Sequence, residues 1–428
     1  MLYVSILASL LTLAGSARAQ DFAGSLPARL SLGAALELLR TRGYDVLLAE
    51  ATTQAVSAQL TQAQAVQNPQ LNAGVGAAFC PGCSALPWTV GVSDQGGLTN
   101  ALFGKRRLRV DVAKAALAAA RFARADALRV LEFQLKAQYT EVAVAERVLS
   151  FAVEVENVYN EVLKLTRIRW NAGAISEAEV AKAQTAELEA AQDVTSAEQG
   201  VEMSKAQLAF LLGVRGALPV FAIESELLDR AAPGALASAS PAALLRIAYE
   251  QRADLKAVHA TVQGAQIATR LAERTRTPDV ALSLQGSGQG TGRSAISPPM
   301  LMFGVTVTPP LLYQSQGEIS FARAQTRQAE LEQGKLEAQV AQDVNLAFAS
   351  YTATKRRLER MQSGLLESAR RARDLVRIQY EKGAASLLEL LDAQRTFITN
   401  NLEYLRDVAD FRISVFQIEQ AVGREMSQ

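Results

Sequence analysis

The chain carries one long pattern twice, and that duplication restricts its architecture more than any other feature. From Arg167 the residues run Arg167-Ile168-x-Trp170-x-x-Gly173-Ala174-x-Ser176-x-x-Glu179-Val180-x-x-Ala183-Gln184. From Arg377 they run Arg377-Ile378-x-Tyr380-x-x-Gly383-Ala384-x-Ser386-x-x-Glu389-Leu390-x-x-Ala393-Gln394, with the same internal spacing at an offset of 210 residues. A pattern this long and ordered marks a duplicated unit. Each copy reads as the bend of a helical hairpin: Gly173 or Gly383 ends one helix in the left-handed conformation, and Ser176 or Ser386 caps the next. Glu179 or Glu389, three residues on, completes a capping box.

The stretches around each bend are helical by their lack of breakers. Lys105 to Trp170 contains 66 residues without Gly or Pro, enough at about 1.5 Å per residue for a helix of roughly 100 Å. Glu318 to Lys382 matches it with 65 residues, interrupted only by Gly334 and Gly364. Val148, Phe151, Val155, Val158, Val162 and Leu165 recur alternately three and four residues apart, and the second copy places Leu358, Met361, Leu365, Ser368, Ala372 and Leu375 there. That narrow stripe is a coiled-coil seam. The return arms answer it at multiples of seven, with Val180, Val194, Val201 and Leu208 in one copy and Leu390, Phe397, Tyr404, Phe411 and Ile418 in the other.

Each repeat opens with a short capped helix, at Ser31 and at Ser240 with Pro241 behind it, followed by an Ala- and Gln-rich helix ending at Asn68-Pro69 or Thr277-Pro278. After each Pro the period changes to alternation. Leu71, Ala73, Val75, Ala77 and Phe79, then Trp88, Val90 and Val92, share one face; Val280, Leu282 and Leu284, then Leu301, Phe303, Val305 and Val307, do the same in the second copy. Strands of about 8–10 residues, apolar on one face and polar on the other, suit a transmembrane barrel. No later stretch reaches the roughly 18 consecutive apolar residues of a membrane helix, so any membrane entry is by strands.

The start, Met1 to Ala19, has an apolar run from Leu2 to Ala14 and an Ala17-Arg18-Ala19 cleavage pattern, which reads as a secretory signal peptide. No Cys stands near the cleavage point, so N-terminal lipidation is not indicated. Without it the chain holds 43 basic and 43 acidic residues, which excludes a nucleic-acid binder by bulk charge. The expected organisation is a signal peptide at 1–19, repeat 1 at 20–215, a linker at 216–239 and repeat 2 at 240–428. Within repeat 1 lie a strand hairpin at about 70–94, a long helix at 105–170, a tip at 171–176 and a return helix at 177–212. Within repeat 2 the same elements fall at about 279–308, 318–382, 383–386 and 387–422.

In sum of its ordered parts the sequence resembles the TolC-like outer-membrane efflux factor family. The resemblance spans almost the whole mature chain, and Tyr380 to Thr396 is particularly like the family's second tip. It implies an α+β membrane protein with four transmembrane β-strands per chain, a trimeric 12-stranded β-barrel and a long periplasmic α-helical coiled-coil barrel. It further implies a homotrimer in the outer membrane of a Gram-negative bacterium, partnered by a periplasmic adaptor and an inner-membrane pump of the RND type, with no catalysis and no cofactor. Residue by residue, Glu389 and Asp392 look like the acidic pair of the periplasmic constriction, and Tyr380 and Glu179 like the pair that joins neighbouring coils. Gly173, Ala174, Ser176, Gly383, Ala384 and Ser386 correspond to the adaptor-docking tips. Family members can carry Arg where this chain has Ala385, and Lys182 occupies the place in the first tip equivalent to Asp392. Phe103-Gly104-Lys105-Arg106-Arg107 resembles the heavy-metal-cation branch.

Several residues keep a second reading. Glu389 and Glu179 are also explained as capping residues, and Asp392 as a solvated helix face. Cys80 and Cys83 form a C-x-x-C pair in a loop expected to face outside the cell, open to a redox centre, half a zinc site or a loop disulfide; export favours the disulfide. Zinc needs further ligands, and the chain has two Cys and one His, His259, which reads as a packed or surface residue. Gly104 to Arg107 reads as an anionic-lipid contact or as solvated charge at a helix start. The competing function is a periplasmic coiled-coil adaptor, which the two strand hairpins disfavour; an enzyme would need a nucleophile–base constellation that the sequence lacks.

Overall fold

The computed structural model describes residues 26–76, 86–94, 97, 100, 103–229, 233–237, 239–290 and 297–426. The signal peptide expected at 1–19 and the Cys80 and Cys83 pair lie outside the described residues. The first repeat contains β1 (Arg29–Leu30), α1 (Leu32–Arg42), α2 (Tyr44–Gln64), β2 (Gln70–Val75), β3 (Pro87–Ser93), α3 (Lys105–Asn171) and α4 (Glu177–Leu211), followed by β4 (Ala222–Ile223). The second contains α5 (Pro241–Gln251), α6 (Ala253–Arg274), β5 (Asp279–Gln289), β6 (Ser297–Thr308), α7 (Gln316–Arg360), α8 (Leu366–Glu381) and α9 (Leu387–Val422). No helix among the described residues is long and apolar enough to cross a membrane.

Helix starts follow local chemistry. The Ser31 hydroxyl accepts from the Ala34 N–H at 3.2 Å and the Ser240 hydroxyl from the Ala243 N–H at 3.3 Å, each satisfying one donor that a helix start leaves open. Pro241, which has no N–H to satisfy, follows the second cap. The two return helices also close alike: α4 is followed by Gly213 at φ +74° and α9 by Gly423 at φ +77°. A Cβ on Gly213 would lie 2.4 Å from the Arg42 carbonyl oxygen, and one on Gly423 would lie 3.3 Å from Arg252. Arg42 and Arg252 are themselves 210 residues apart.

Packing does not follow the repeat boundary. One compact unit comprises residues up to 43 together with 138–229, and the other comprises 44–137 with 230–428. In the first, β1 and β4 pair in parallel, with Leu30 opposite Ile223. Tyr139 is fully buried and its hydroxyl donates to the Leu30 carbonyl at 2.8 Å while accepting from the Glu224 N–H at 3.0 Å.

In the second unit Leu244, Ala248 and Leu255 pack on Val340, Val344, Ala347 and Tyr351 of α7 and on Phe411, Val415, Ile418 and Val422 of α9. Both long helices present these residues at alternating steps of three and four, so their side chains interdigitate along a seam. The seam of α9 departs from strict sevens at Tyr404, which is half-buried, while Leu405 and Val408 are buried in its stead.

Buried charge accompanies this core. Lys136 Nζ lies 2.9 Å from Glu419 and 3.0 Å from Glu425. Burial pushes the Lys136 ammonium down, yet the two carboxylates outweigh it and hold it above the ordinary lysine range. Arg252 bridges Asp254 at 2.6 Å and Asp343 at 2.9 Å and donates to the Ala421 carbonyl at 3.2 Å. Burial pushes the Asp254 carboxyl up, while Arg252, Arg129 and the Leu255 N–H together hold it below its usual range. These contacts tie the end of α9 to α3, α6 and α7.

Candidate functional site

Strands from both repeats join in one antiparallel sheet of order β2-β3-β5-β6. Leu71, Ala73 and Val75 stand opposite Val92, Val90 and Trp88, which stand opposite Leu284, Gly286 and Gly288 across the repeat boundary. Leu284, Leu282 and Val280 are opposite Phe303, Val305 and Val307. Directly opposed residues project to the same face of an antiparallel sheet, so all four strands contribute to a single apolar face. Leu71 is 81 % and Phe303 78 % exposed, and apolar area of this kind belongs in contact with lipid rather than water. Trp88 lies over Gly288, where a Cβ would come within 2.9 Å of the indole, and its Nε1 donates to the Gly290 carbonyl at 3.2 Å.

The other face carries Gln70, Asn72, Thr89, Ser93, Ser283, Gln285 and Ser287, with Met300 and Met302 as its two thioethers. Among the described residues of β2, β3, β5 and β6 the only ionisable one is Asp279, at the first position of β5. Lys105 reaches it: Nζ donates to Asp279 Oδ1 and to the Thr277 carbonyl, each at 2.8 Å, and the side chain is buried. Neither sequence reading of this lysine, a lipid contact or a solvated charge, describes it, because it ties the start of α3 to the start of β5. Arg106 likewise donates to the Gln64 carbonyl, whereas Arg107 is exposed.

At the far ends of the long helices the two bends have the same backbone. The Gly173 N–H donates to the Trp170 carbonyl and the Ala174 N–H to Arg169; the Gly383 N–H donates to Tyr380 and the Ala384 N–H to Gln379. This pair of bonds is the Schellman closure of a helix, with the glycine left-handed at φ +73° in one tip and +80° in the other. A Cβ on either glycine would meet nothing within 4 Å, so φ alone calls for Gly there.

The caps then diverge. In the second tip the expected box is complete: the Ser386 hydroxyl accepts from the Glu389 N–H at 3.3 Å, and the Glu389 carboxylate accepts from the Ser386 N–H at 2.7 Å and from its hydroxyl at 2.9 Å. The Ser386 N–H and hydroxyl hold the exposed Glu389 carboxyl below its usual range. In the first tip Ser176 makes no side-chain cap bond, and only its carbonyl receives the Glu179 N–H, at 3.1 Å. The capping box expected at Ser176 and Glu179 is therefore absent, and the difference lies in the side chains alone.

Asp392 is exposed three residues beyond Glu389, on the same side of α9, while Leu387, Leu390, Gln394 and Phe397 form the buried side. Tyr380 is fully buried and Glu179 half-buried. The buried networks around Lys136 and Arg252 escaped the sequence reading. One signal was there: Lys136 corresponds to Leu346 in the second repeat, an exchange of charge for an apolar side chain at one register. No group of three His, Cys, Asp or Glu that could hold a metal occurs among the described residues.

A sheet with a lipid-type face, joined to long helical hairpins that end in tight polar tips, defines an outer-membrane channel of the efflux type. The family model described as "Outer membrane efflux protein" matches residues 95–214 and 244–424, one match in each repeat. The chain belongs to this family, whose members are the outer-membrane channel components of tripartite efflux systems. It is 22 % identical over 395 residues to the cobalt-zinc-cadmium resistance protein CzcC of Cupriavidus metallidurans, covering 92 % of this chain and 90 % of that one. Its fold is similar to that in crystal structures of CusC, with a TM-score of 0.77 and 17 % identity over 92 % of each chain. It is also similar to the open state of the Neisseria gonorrhoeae MtrE outer membrane channel, with a TM-score of 0.75 and 18 % identity over 93 % of this chain and 90 % of that one.

Proposed function

We propose that three copies of this chain close a twelve-stranded barrel in the outer membrane and extend it across the periplasm as a passive duct for heavy-metal cations. The observation that carries the reading is the four-stranded sheet, which is open at β2 and β6 and carries one continuous apolar face. Hydrocarbon does not tolerate an open sheet edge, and four strands are too few to close around a water-filled path. Further copies complete the sheet by pairing β6 of one with β2 of the next. The number three follows the family resemblance.

Cargo enters from an RND-type inner-membrane pump through a periplasmic adaptor that meets the tips at Gly173, Ala174, Ser176, Gly383, Ala384 and Ser386. Asp392, with Glu389 one turn before it, lines the periplasmic constriction, and Tyr380 with Glu179 joins neighbouring coils. The heavy-metal cargo is supported by the Phe103 to Arg107 segment and by the likeness to a cobalt-zinc-cadmium resistance protein. The described polar sheet face bears no charge apart from the paired Asp279, so selection between cations and anions falls to the acidic tip.

The test is the mass of the purified mature protein in detergent together with its single-channel conductance in planar bilayers. Trimers that form cation-selective channels support the duct. A soluble protein without channel activity would return the chain to the periplasmic adaptor class. Loss of cobalt, zinc or cadmium tolerance on deletion of the gene tests the cargo separately.

A further inference from the structure

Over one short stretch β6 is apolar on both of its faces. Leu301 and Phe303 project to the lipid-type face, and Met300 and Met302 project to the other. Contact with lipid accounts for the exposure of the first pair. It does not account for the second, whose side chains are 61 % and 56 % exposed on a face of small and polar residues.

The rows of the sheet define what lies beside these two thioethers. Met302 stands opposite Gln285, which is followed across the sheet by Gly91 and Asn72; Met300 stands opposite Ser287, followed by Thr89 and Gly74. No apolar side chain in these rows, among the described residues, covers the methionines. No carboxylate shares the rows either, so nothing there offsets the charge of a strongly hydrated divalent ion.

The spacing of the pair suits one shared ion. Residues i and i+2 of a strand point the same way and lie about 6.8 Å apart. An unbranched methionine side chain is flexible, so the two sulfurs can lean together and close on a single ion between them. A thioether is neutral and polarisable, does not titrate, and selects soft ions such as Cu(I). Two such ligands hold an ion loosely. A site inside a pore has to be strong enough to be occupied and weak enough to be left.

The pair is particular to this strand. The corresponding face of β3 carries Thr89, Gly91 and Ser93, and beyond Met1 the other methionines, Met203, Met361 and Met426, stand singly in the sequence. Met203 is the one thioether of α4 and, at 57 % exposed, is as open as Met302.

We propose that Met300 and Met302 form a soft-cation site on the polar face of the sheet, where a monovalent ion of the Cu(I) or Ag(I) kind is held by both sulfurs. The ion binds and leaves with its charge unchanged. Its passage through the barrel rests on the proposed duct, and narrows the heavy-metal cargo to its soft members. Its capture by the two sulfurs does not depend on that reading.

The test uses the full mature protein in lipid nanodiscs, labelled with carbon-13 at the methionine methyl groups and titrated with silver nitrate in chloride-free buffer. The Met300 and Met302 resonances should shift together, at an Ag(I) concentration at least about tenfold below the one that shifts Met203, because the second sulfur meets the bound ion at high effective concentration. Met300→Leu and Met302→Leu, which nearly conserve side-chain volume, should each bring the remaining methionine into the Met203 range. Zinc and cobalt ions should shift neither. Shifts of the pair and of Met203 at the same concentration, tight binding retained in either single variant, or an equal response to zinc would overturn the site. Protein that conducts in planar bilayers but shows no paired binding would overturn it while the duct stands. Paired binding in a protein that forms no channels would retain the site and remove the duct.

Discussion

At the first tip Ser176 begins a helix with no side-chain cap, whereas at the same register of the second tip Ser386 and Glu389 close a reciprocal box. The turns that precede them are the same, bond for bond, with left-handed Gly173 and Gly383 in equivalent Schellman closures. One repeat also has a continuous long helix, and the other has a π turn in the middle of its long arm. The duplicated backbone has thus been kept at the bend and altered on both sides of it. The second hairpin combines a fully capped tip with an interrupted long arm. The first has the reverse arrangement.

The largest test of this asymmetry lies at the clamped end. Lys136→Met leaves Glu419 buried without its cation and should destabilise the protein by about 3–5 kcal/mol, read as a fall in unfolding midpoint. Leu346→Lys, at the same register of the second repeat and exposed in the chain, should change it by less than about 0.5 kcal/mol. Comparable losses would show that the buried charge network is not what distinguishes the two positions.

At the tips, Asp392→Ala should lower the cation-to-anion permeability ratio of the channel several-fold by removing negative charge from the entrance. Lys182→Ala, its counterpart in the first tip, should raise that ratio or leave it unaltered. A channel indifferent to Asp392 would demote that residue to a helix surface.

The caps predict a smaller difference. Ser386→Ala should cost about 1 kcal/mol of local stability, seen as faster amide exchange in residues 386–390. Ser176→Ala should change exchange at 176–180 little, since that hydroxyl makes no cap bond. The same contrast has a pH signature. Because the Glu389 pKa lies below its unfolded value, its contribution is present above the ordinary glutamate range, about pH 4.3, and is lost as pH falls through the lower folded value. Exchange at the second tip should therefore show an acid-side step that Glu389→Gln removes and that Ser386→Ala, which keeps the backbone N–H, only reduces. A step that persists in Glu389→Gln would place its origin elsewhere.

Local chemistry made much of this legible in advance. The glycines at 173 and 383, the capping serines at 31, 240 and 386, the breaker-free stretches from Lys105 and Glu318, and the alternation in the strands each involve residues within a few positions of one another. Helix closure, capping and side-chain periodicity operate over that range. The failure at Ser176 is instructive on the same ground: its residue types match those at Ser386, and only the side-chain geometry differs. The π turn had one visible hint, Gly364, but a glycine in a helical run is compatible with an ordinary helix.

By itself the sequence determined the duplication, the extent of the helical arms, the bends between them and the apolar stripe of each strand, because period and punctuation are properties of neighbouring residues; it did not determine the break of the second long arm at Met361–Leu365. Only the tertiary structure decided that β3 pairs with β5 across the repeat boundary, joining both hairpins in one sheet. It also decided that the packing units cut across the repeats, that Lys105 is tied to Asp279, and that Lys136 sits between Glu419 and Glu425. Those outcomes depend on partners some 170 to 290 residues apart, and desolvation and register act on groups only once the chain has brought them together.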